Sequence, residues 1–403
     1  MKQTRFYLTN IPPPYERVIL AGVLTNNDDE ELFDVDLKEM KMLCATAGAV
    51  VYDTVVQKRE APTASTYIGK GKLLEICELM KKHNCQTLVI DAQLSPGQIR
   101  NIEKIVQAKI IDRAQLILDI FAKHAKTTEA KIQVELAQMK TLYPRLTHAW
   151  THFSQQVGGI GTKGPGEKQL EVDRRLIKKR INELTSKLKQ IEKSRSVQRK
   201  MRENMFKVTL VGYTNVGKSS LLNAMSKADV FVENRLFATL DTSTKRVYIP
   251  EYGEIIVSDT VGFLRKLPPH LVASFRGTLE VVCEADLLLI VMDASSSWSD
   301  QQLATVNQVL FDLNAHKIPH LLIFNKVDLV KDNIERKKLE VKYPDALLIS
   351  AFSKNDIMLL KKRIAEIIKN YKREESGFLA LEKKVKHLNR DPNAPQGLPW
   401  EEK

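Results

Sequence analysis

An α/β fold with a mixed, doubly wound sheet, preceded by a smaller α/β domain and an antiparallel helical hairpin, is what this 403-residue sequence predicts. Three observations predict it. Short apolar runs alternate with amphipathic stretches in the first quarter of the chain and again in its second half. The middle carries two long apolar seams of helical spacing. A glycine-rich turn stands between a strand and a helix at residues 212–219.

Residues 18–24, 49–56, 87–90 and 109–111 read as strands, and 31–47, 72–82 and 95–107 as helices; this is the alternation of a small, largely parallel sheet within residues 1–125. Next, Ile132, Leu136, Met139, Tyr143 and Leu146, and then Ile177, Ile181, Leu184, Leu188 and Ile191, step by threes and fours. They predict a hairpin of coiled-coil type over residues 126–204, with Pro144 kinking or ending its first arm. Its second arm, 171–203, holds twelve basic residues against five acidic ones, more one-sided than a solvated helix face usually is. Five of the seventeen glycines fall in 158–166. The formal GxGxxG there (Gly159, Gly161, Gly164) lacks the strand before it and the helix opening on it that a dinucleotide site needs, so the segment is a plain turn or a backbone-rich probe. A second α/β domain follows over 205–372, with strands at 206–211, 245–249, 254–258, 286–292, 320–324 and 346–349. The turn at Glu251, Tyr252 and Gly253 makes one strand pair antiparallel. Residues 373–403 read as a short helix and a loose terminus.

A hydrophobic share of 43% supports sizeable cores. The formal charge of +13 fits a polyanionic partner or simply a solvated basic surface. Four cysteines without a CxxC pair argue against a zinc module or a disulfide framework. No apolar run approaches the ~20 residues that cross a bilayer, and the N-terminus lacks a signal core. The expectation is a cytoplasmic protein without a transmembrane segment.

Gly212, Tyr213, Thr214, Asn215, Val216, Gly217, Lys218 and Ser219 fit GxxxxGK[ST], after a strand and opening a helix. In such a loop backbone N–H groups close on phosphates, the helix N-terminus adds positive potential, Lys218 reaches the outer phosphates and Ser219 takes Mg²⁺. Asp259, Thr260, Val261 and Gly262 also follow a strand; the carboxylate can hold Mg²⁺ through water and the Gly262 N–H can meet a γ-phosphate. Asn325, Lys326, Val327 and Asp328 end another strand, where a carboxylate accepts the two donors of guanine's N1 and N2 edge that adenine lacks. Ser350, Ala351 and Phe352 would close over the base. Together they predict a P-loop GTPase and exclude an ATP-driven motor.

These residues resemble the HflX family of ribosome-binding GTPases, and the resemblance covers nearly the whole chain. It rests on residues 66–72 and 111–121, on the glycine loop running into 167–175, on Phe237, Ala238, Thr239, Leu240 and Asp241 as a first switch, and on 259–270 as a second. Lys168 stands where the family carries Thr. By this resemblance Thr239 joins Ser219 on Mg²⁺ and contacts the γ-phosphate, so that Lys218, Thr239 and Gly262 form the catalytic set. Asn215 resembles a K⁺-coordinating position; an ordinary polar loop residue is the alternative. The resemblance further implies a monomer that docks on the large ribosomal subunit, with the glycine loop reaching rRNA near the peptidyl-transferase centre, and that splits stalled or idle ribosomes under stress. The rival reading is a GTPase of ribosomal-subunit assembly or of rRNA or tRNA maturation, which should carry an RNA-binding module such as KH. A protein-partner switch is a third reading, and it leaves the basic arm without a purpose. Phe263 occupies the place where many GTPases have a water-orienting Gln, which predicts slow intrinsic hydrolysis raised by a partner. Arg265 and Lys266 read as an exposed basic pair within the switch.

Overall fold

The computed structural model describes residues 16–148, 165–200, 205–226, 236–237, 242–266, 268, 276–330 and 332–388. Its first sheet has the order β2-β1-β3-β4, all parallel, from β1 (Glu16–Thr25), β2 (Ala49–Arg59), β3 (Thr87–Ile90) and β4 (Lys109–Asp112). β1 lies between two neighbours and is covered on both faces, which is why its sequence is a continuous apolar run rather than an alternation. On one face pack α1 (Glu30–Ala47) and α4 (Arg113–His124), and on the other α2 (Lys70–His83) and α3 (Pro96–Val106). α1 starts where the Asp29 carboxylate accepts from the Glu31 and Leu32 N–H groups at 2.8 and 3.2 Å. It stops at Gly48, whose φ of 85° lets the last carbonyls be capped.

α5 (Thr128–His148) and α6 (Pro165–Lys200) form the expected hairpin. Leu136 and Leu184 are buried in its seam, and the Arg180–Glu135 pair at 2.7 Å sets the register of the two arms. Pro144 does not end α5. The helix runs past it to His148, the last described residue of that stretch. The glycine loop lies outside the described residues, apart from Pro165 and Gly166 at the start of α6.

The second sheet is β10-β9-β8-β5-β7-β6, formed by β5 (Lys207–Gly212), β6 (Ser243–Ile249), β7 (Gly253–Asp259), β8 (Leu287–Asp293), β9 (His320–Asn325) and β10 (Leu347–Leu348). β6 is antiparallel to β7, as the turn at 251–253 predicts, and the other pairs are parallel. The helices around it are α7 (Lys218–Ser226), α8 (Arg276–Cys283), α9 (Ser299–Asp312), α10 (Asn333–Lys342) and α11 (Lys354–Leu388). α11 passes unbroken through residue 373, where the sequence suggests the domain ends; residues beyond 388 lie outside the description. β5 has β8 on one side and β7 on the other, so strand order reverses at its C-terminal end. Open α/β sheets place their ligand crevice at such a point.

The two sheets share one apolar core. It runs from Phe33, Leu37 and Met40 of α1 through Phe121 of α4 to Phe237 and Leu264 of the second domain. The Phe121 and Phe237 rings meet edge to face with centroids 4.7 Å apart.

Candidate nucleotide site

β5 ends on Gly212, whose φ of 151° and close packing under the Val291 carbonyl leave no room for a side chain. The loop then turns at Asn215 (φ 61°) and Gly217 (φ 92°) into α7. Asparagine tolerates the left-handed conformation better than most residues, which by itself accounts for Asn215. Lys218 is buried, and its ammonium donates to the Tyr213 and Gly212 carbonyls at 2.8 and 3.2 Å. Burial pushes its pKa down to about 8, with the Asp259 charge opposing the fall.

Bound phosphates favour the charged lysine, so nucleotide affinity should be level below pH 8 and should weaken above it. A tenfold loss, roughly, is expected between pH 7 and pH 9, because binding must then recruit a proton. Titrating GDP into the chain across this range, beside Lys218→Arg, checks it; a flat profile would place the free lysine's pKa much higher.

The second motif is zipped to the first. The Thr214 N–H donates to the Phe263 carbonyl at 2.9 Å and the Phe263 N–H to the Gly212 carbonyl at 3.0 Å. The approach is so close that a Cβ on Gly262 would lie 2.6 Å from Thr214 Cα. Ser219 Oγ donates to Asp259 Oδ2 at 2.5 Å, and the Thr260 hydroxyl donates to the Leu210 carbonyl at 2.7 Å. The Ser219 hydroxyl and Asp259 carboxylate are hard oxygen donors at the mouth of a phosphate loop. That fits Mg²⁺, which needs only one or two protein ligands beside phosphates and water. Among the described residues no three His, Cys, Asp or Glu side chains cluster as a metal cage.

Asn325 ties the base end to the phosphate end. Its Nδ2 donates to the Val216 carbonyl at 2.9 Å and its Oδ1 accepts from the Ala351 N–H at 3.0 Å. Lys326 takes φ 64° and opens a 3-10 turn, Val327–Leu329, that carries Asp328. The Ser350 N–H donates to Asp356 Oδ2 at 2.8 Å, and the Phe352 N–H to Ser350 Oγ at 3.3 Å; the Phe352 ring is exposed. The structure thus brings together residues 212–219, 259–262, 325–328 and 350–352. Ala238, Thr239, Leu240 and Asp241 lie outside the described residues. Phe237 is buried and its ring packs on Phe121 of α4, which leaves its backbone as the part that could meet a nucleotide.

The sequence gives no warning of a buried polar network beside this site. The Arg113 guanidinium is 2% exposed, reaches Asp91 at 2.7 Å, pairs with Glu39, and donates to the Arg265 carbonyl at 2.8 Å. The Tyr213 hydroxyl donates to Glu39 and accepts from the Arg265 N–H at 2.9 Å. Burial raises the Tyr213 phenol well above its ordinary range, with the Glu39 charge adding to the rise, so the proton stays on the phenol. Burial likewise raises the Glu39 carboxyl, against the pull of Arg113 and Tyr213. Arg265 and Lys266 are not a free exposed pair. They reach the two oxygens of Asp36 on α1 at 3.4 and 2.7 Å. The only local signal was charge at positions 36 and 39 within the apolar face Phe33, Leu37, Met40 and Leu43.

Known families and relatives match the chain over most of its length. Residues 34–122 match the model "GTP-binding GTPase N-terminal", 124–202 "GTP-binding GTPase Middle Region" and 207–326 "50S ribosome-binding GTPase". The chain is similar to GTPase HflX of Flavobacterium psychrophilum, 43% identical over 88% of this chain and 91% of that one. It is also 43% identical to GTPase HflX of Escherichia coli, over 79% of this chain and 74% of that one. Among solved structures, a complex described as SsGBP and GDP aligns over 88% of this chain and 99% of its own, with TM-score 0.48 and 26% identity. Identity of this depth, over most of both chains, makes this protein a member of the GTPase HflX family.

Proposed function

We propose that this GTPase binds the large ribosomal subunit and couples GTP hydrolysis to splitting of stalled or idle ribosomes. The observation that carries docking is the basic face of α6: Arg174, Arg175, Lys178, Lys179, Lys187 and Lys189 are exposed along one helix. No assembly-type RNA module accompanies it among the described residues. rRNA near the peptidyl-transferase centre is the partner of the glycine loop in this reading, the protein acts as a cytoplasmic monomer, and K⁺ at Asn215 is an accessory to test with KCl against NaCl. Among the described residues no helix is long and apolar enough to cross a membrane.

At the reacting phosphate, Lys218 neutralises charge, the Gly262 N–H donates to the γ-phosphate, and Thr239 closes the first switch. Ser219 and Thr239 would hold Mg²⁺, which when bound would supply positive charge to the phosphate oxygens, and Asp259 would orient the Ser219 hydroxyl. No water-orienting group follows Gly262. The Phe263 ring is buried, within the apolar cluster that includes Val211, Leu279 and Leu288. Hydrolysis should therefore be slow alone and rise steeply with ribosomes. Phe263→Gln restoring full activity without ribosomes would overturn partner-supplied catalysis.

Co-sedimentation with purified ribosomes, in a non-hydrolysable GTP analogue against GDP, tests docking. Light scattering of 70S particles tests splitting. Deleting 158–166 should spare docking and abolish splitting. Pelleting in neither nucleotide state would favour a switch acting on protein partners, and normal splitting by the deletion variant would reduce the loop to a turn.

A further inference from the structure

The turn that presents Asp328 rests on a carboxylate from another strand. Lys326 is left-handed, with φ 64°, a conformation that a residue with a long side chain seldom adopts unaided. Its ammonium lies 2.8 Å from Asp293 Oδ2, and both side chains are mostly shielded, at 21% and 17% exposure. Asp293 is itself fixed. Its Oδ1 accepts from the Ser295 N–H at 2.9 Å and from the Ser295 hydroxyl at 2.6 Å. It is the last residue of β8, paired in register with Asn325, and the next N–H along, that of Ala294, donates to the Asn325 carbonyl at 2.8 Å. Asp293 therefore shares a strand edge with the asparagine that clamps Val216 and Ala351. Asp328, by contrast, is exposed on its turn.

We propose that Asp293 is a positioning residue for purine selection: by holding the Lys326 ammonium it fixes the left-handed turn that aims the Asp328 carboxylate at the base. This rests on Asp328 being the acceptor for guanine. A carboxylate must be aimed well to take N1–H and the 2-amino group together, and a site built for both donors rejects a base lacking one. Hypoxanthine has N1–H and no 2-amino group. The GDP-to-IDP affinity ratio therefore reads the aim of Asp328, while phosphate contacts cancel in it.

The test measures GDP, IDP and XDP affinities of the full chain by displacement of a fluorescent nucleotide. Asp293→Asn should lower the GDP-to-IDP ratio fivefold or more, weakening GDP much more than IDP. Ser295→Ala, which loosens Asp293 without touching the ion pair, should lower it in the same direction by less. In a Lys326→Gly background glycine takes the left-handed turn freely and there is no ammonium to hold, so adding Asp293→Asn should change the ratio no further. Equal weakening of GDP and IDP in Asp293→Asn would make Asp293 a structural residue only and overturn the proposal; so would a further drop of similar size in the glycine background. Asp328→Asn distinguishes the underlying reading, because an amide can donate to the 2-oxo group of xanthine and should move preference from GDP to XDP. If it does not, Asp328 is not the guanine acceptor and the role of Asp293 falls with it. If it does while Asp293→Asn leaves the ratio intact, only the role of Asp293 falls.

Discussion

Replacing Arg113 by methionine should lower the unfolding free energy by about 3–5 kcal/mol, read from urea denaturation with wild type alongside. The size follows from what is stranded. Asp91 and Glu39 are 1% and 8% exposed at the side chain, and both would keep their burial while losing their cation. The Arg265 carbonyl would lose a donor as well. Methionine fills much of the volume, so the loss reports charge rather than a cavity. Arg113→Lys should recover only part of it, since one ammonium cannot reproduce a fork that addresses Asp91, Glu39 and the Arg265 carbonyl at once. Neutralising the acids too, with Asp91→Asn and Glu39→Gln, should return much of the stability, because an uncharged buried group costs less than an unpaired ion. A loss below about 1 kcal/mol in Arg113→Met would mean that water reaches the network in solution.

The second large effect concerns the basic arm. Changing Arg174, Arg175, Lys178 and Lys179 to glutamine should flatten the salt dependence of ribosome binding. Each lost phosphate contact removes roughly 0.7–0.9 from the slope of log affinity against log salt, so four contacts amount to about three units, and affinity should fall about a hundredfold or more at low salt. Arg180 is best left alone. It pairs with Glu135 at 2.7 Å and with Glu183 at 3.5 Å, so its loss would loosen the hairpin as well as remove a charge. GDP affinity should stay within about twofold, since these residues are remote in sequence and structure from the phosphate loop. An unchanged salt slope in the quadruple variant would show that α6 does not face nucleic acid.

How much of this was legible depended on how local the determining residues are. The phosphate loop is one contiguous segment between a strand and a helix, and its glycines, lysine and serine announce their geometry in order. The base-reading tetrapeptide and the 350–352 loop each follow a strand, so their meeting is a consequence of parallel-sheet topology. The hairpin was legible from its seams, but the persistence of α5 beyond Pro144 was not. The network around Arg113 could not be read this way. Its members are contributed by α1, the residue after β3, α4, the phosphate loop and the second switch, and the Tyr213–Glu39 bond spans 174 positions. Asp293 is illegible for the same reason, since its partner Lys326 becomes its neighbour only through the pairing of β8 with β9. The burial of the Phe237 ring is likewise not a local property, since it depends on α4 of the other domain.

The core shared between the two sheets has a consequence for how each new copy is made. Phe121 leaves the ribosome well before Phe237, and 116 positions separate them. At roughly 5–20 residues per second, the first domain waits about 6–23 s for the ring that covers Phe121. During that interval the Phe121 ring lacks the Phe237 ring that covers it in the finished fold. Asp36 meanwhile lacks Arg265 and Lys266, and Glu39 lacks the Tyr213 hydroxyl, so these carboxylates have no partner from the second domain until it emerges. A nascent chain halted before residue 237 should therefore be captured by a hydrophobic-surface dye or a holdase, and one halted after the second switch has emerged should not.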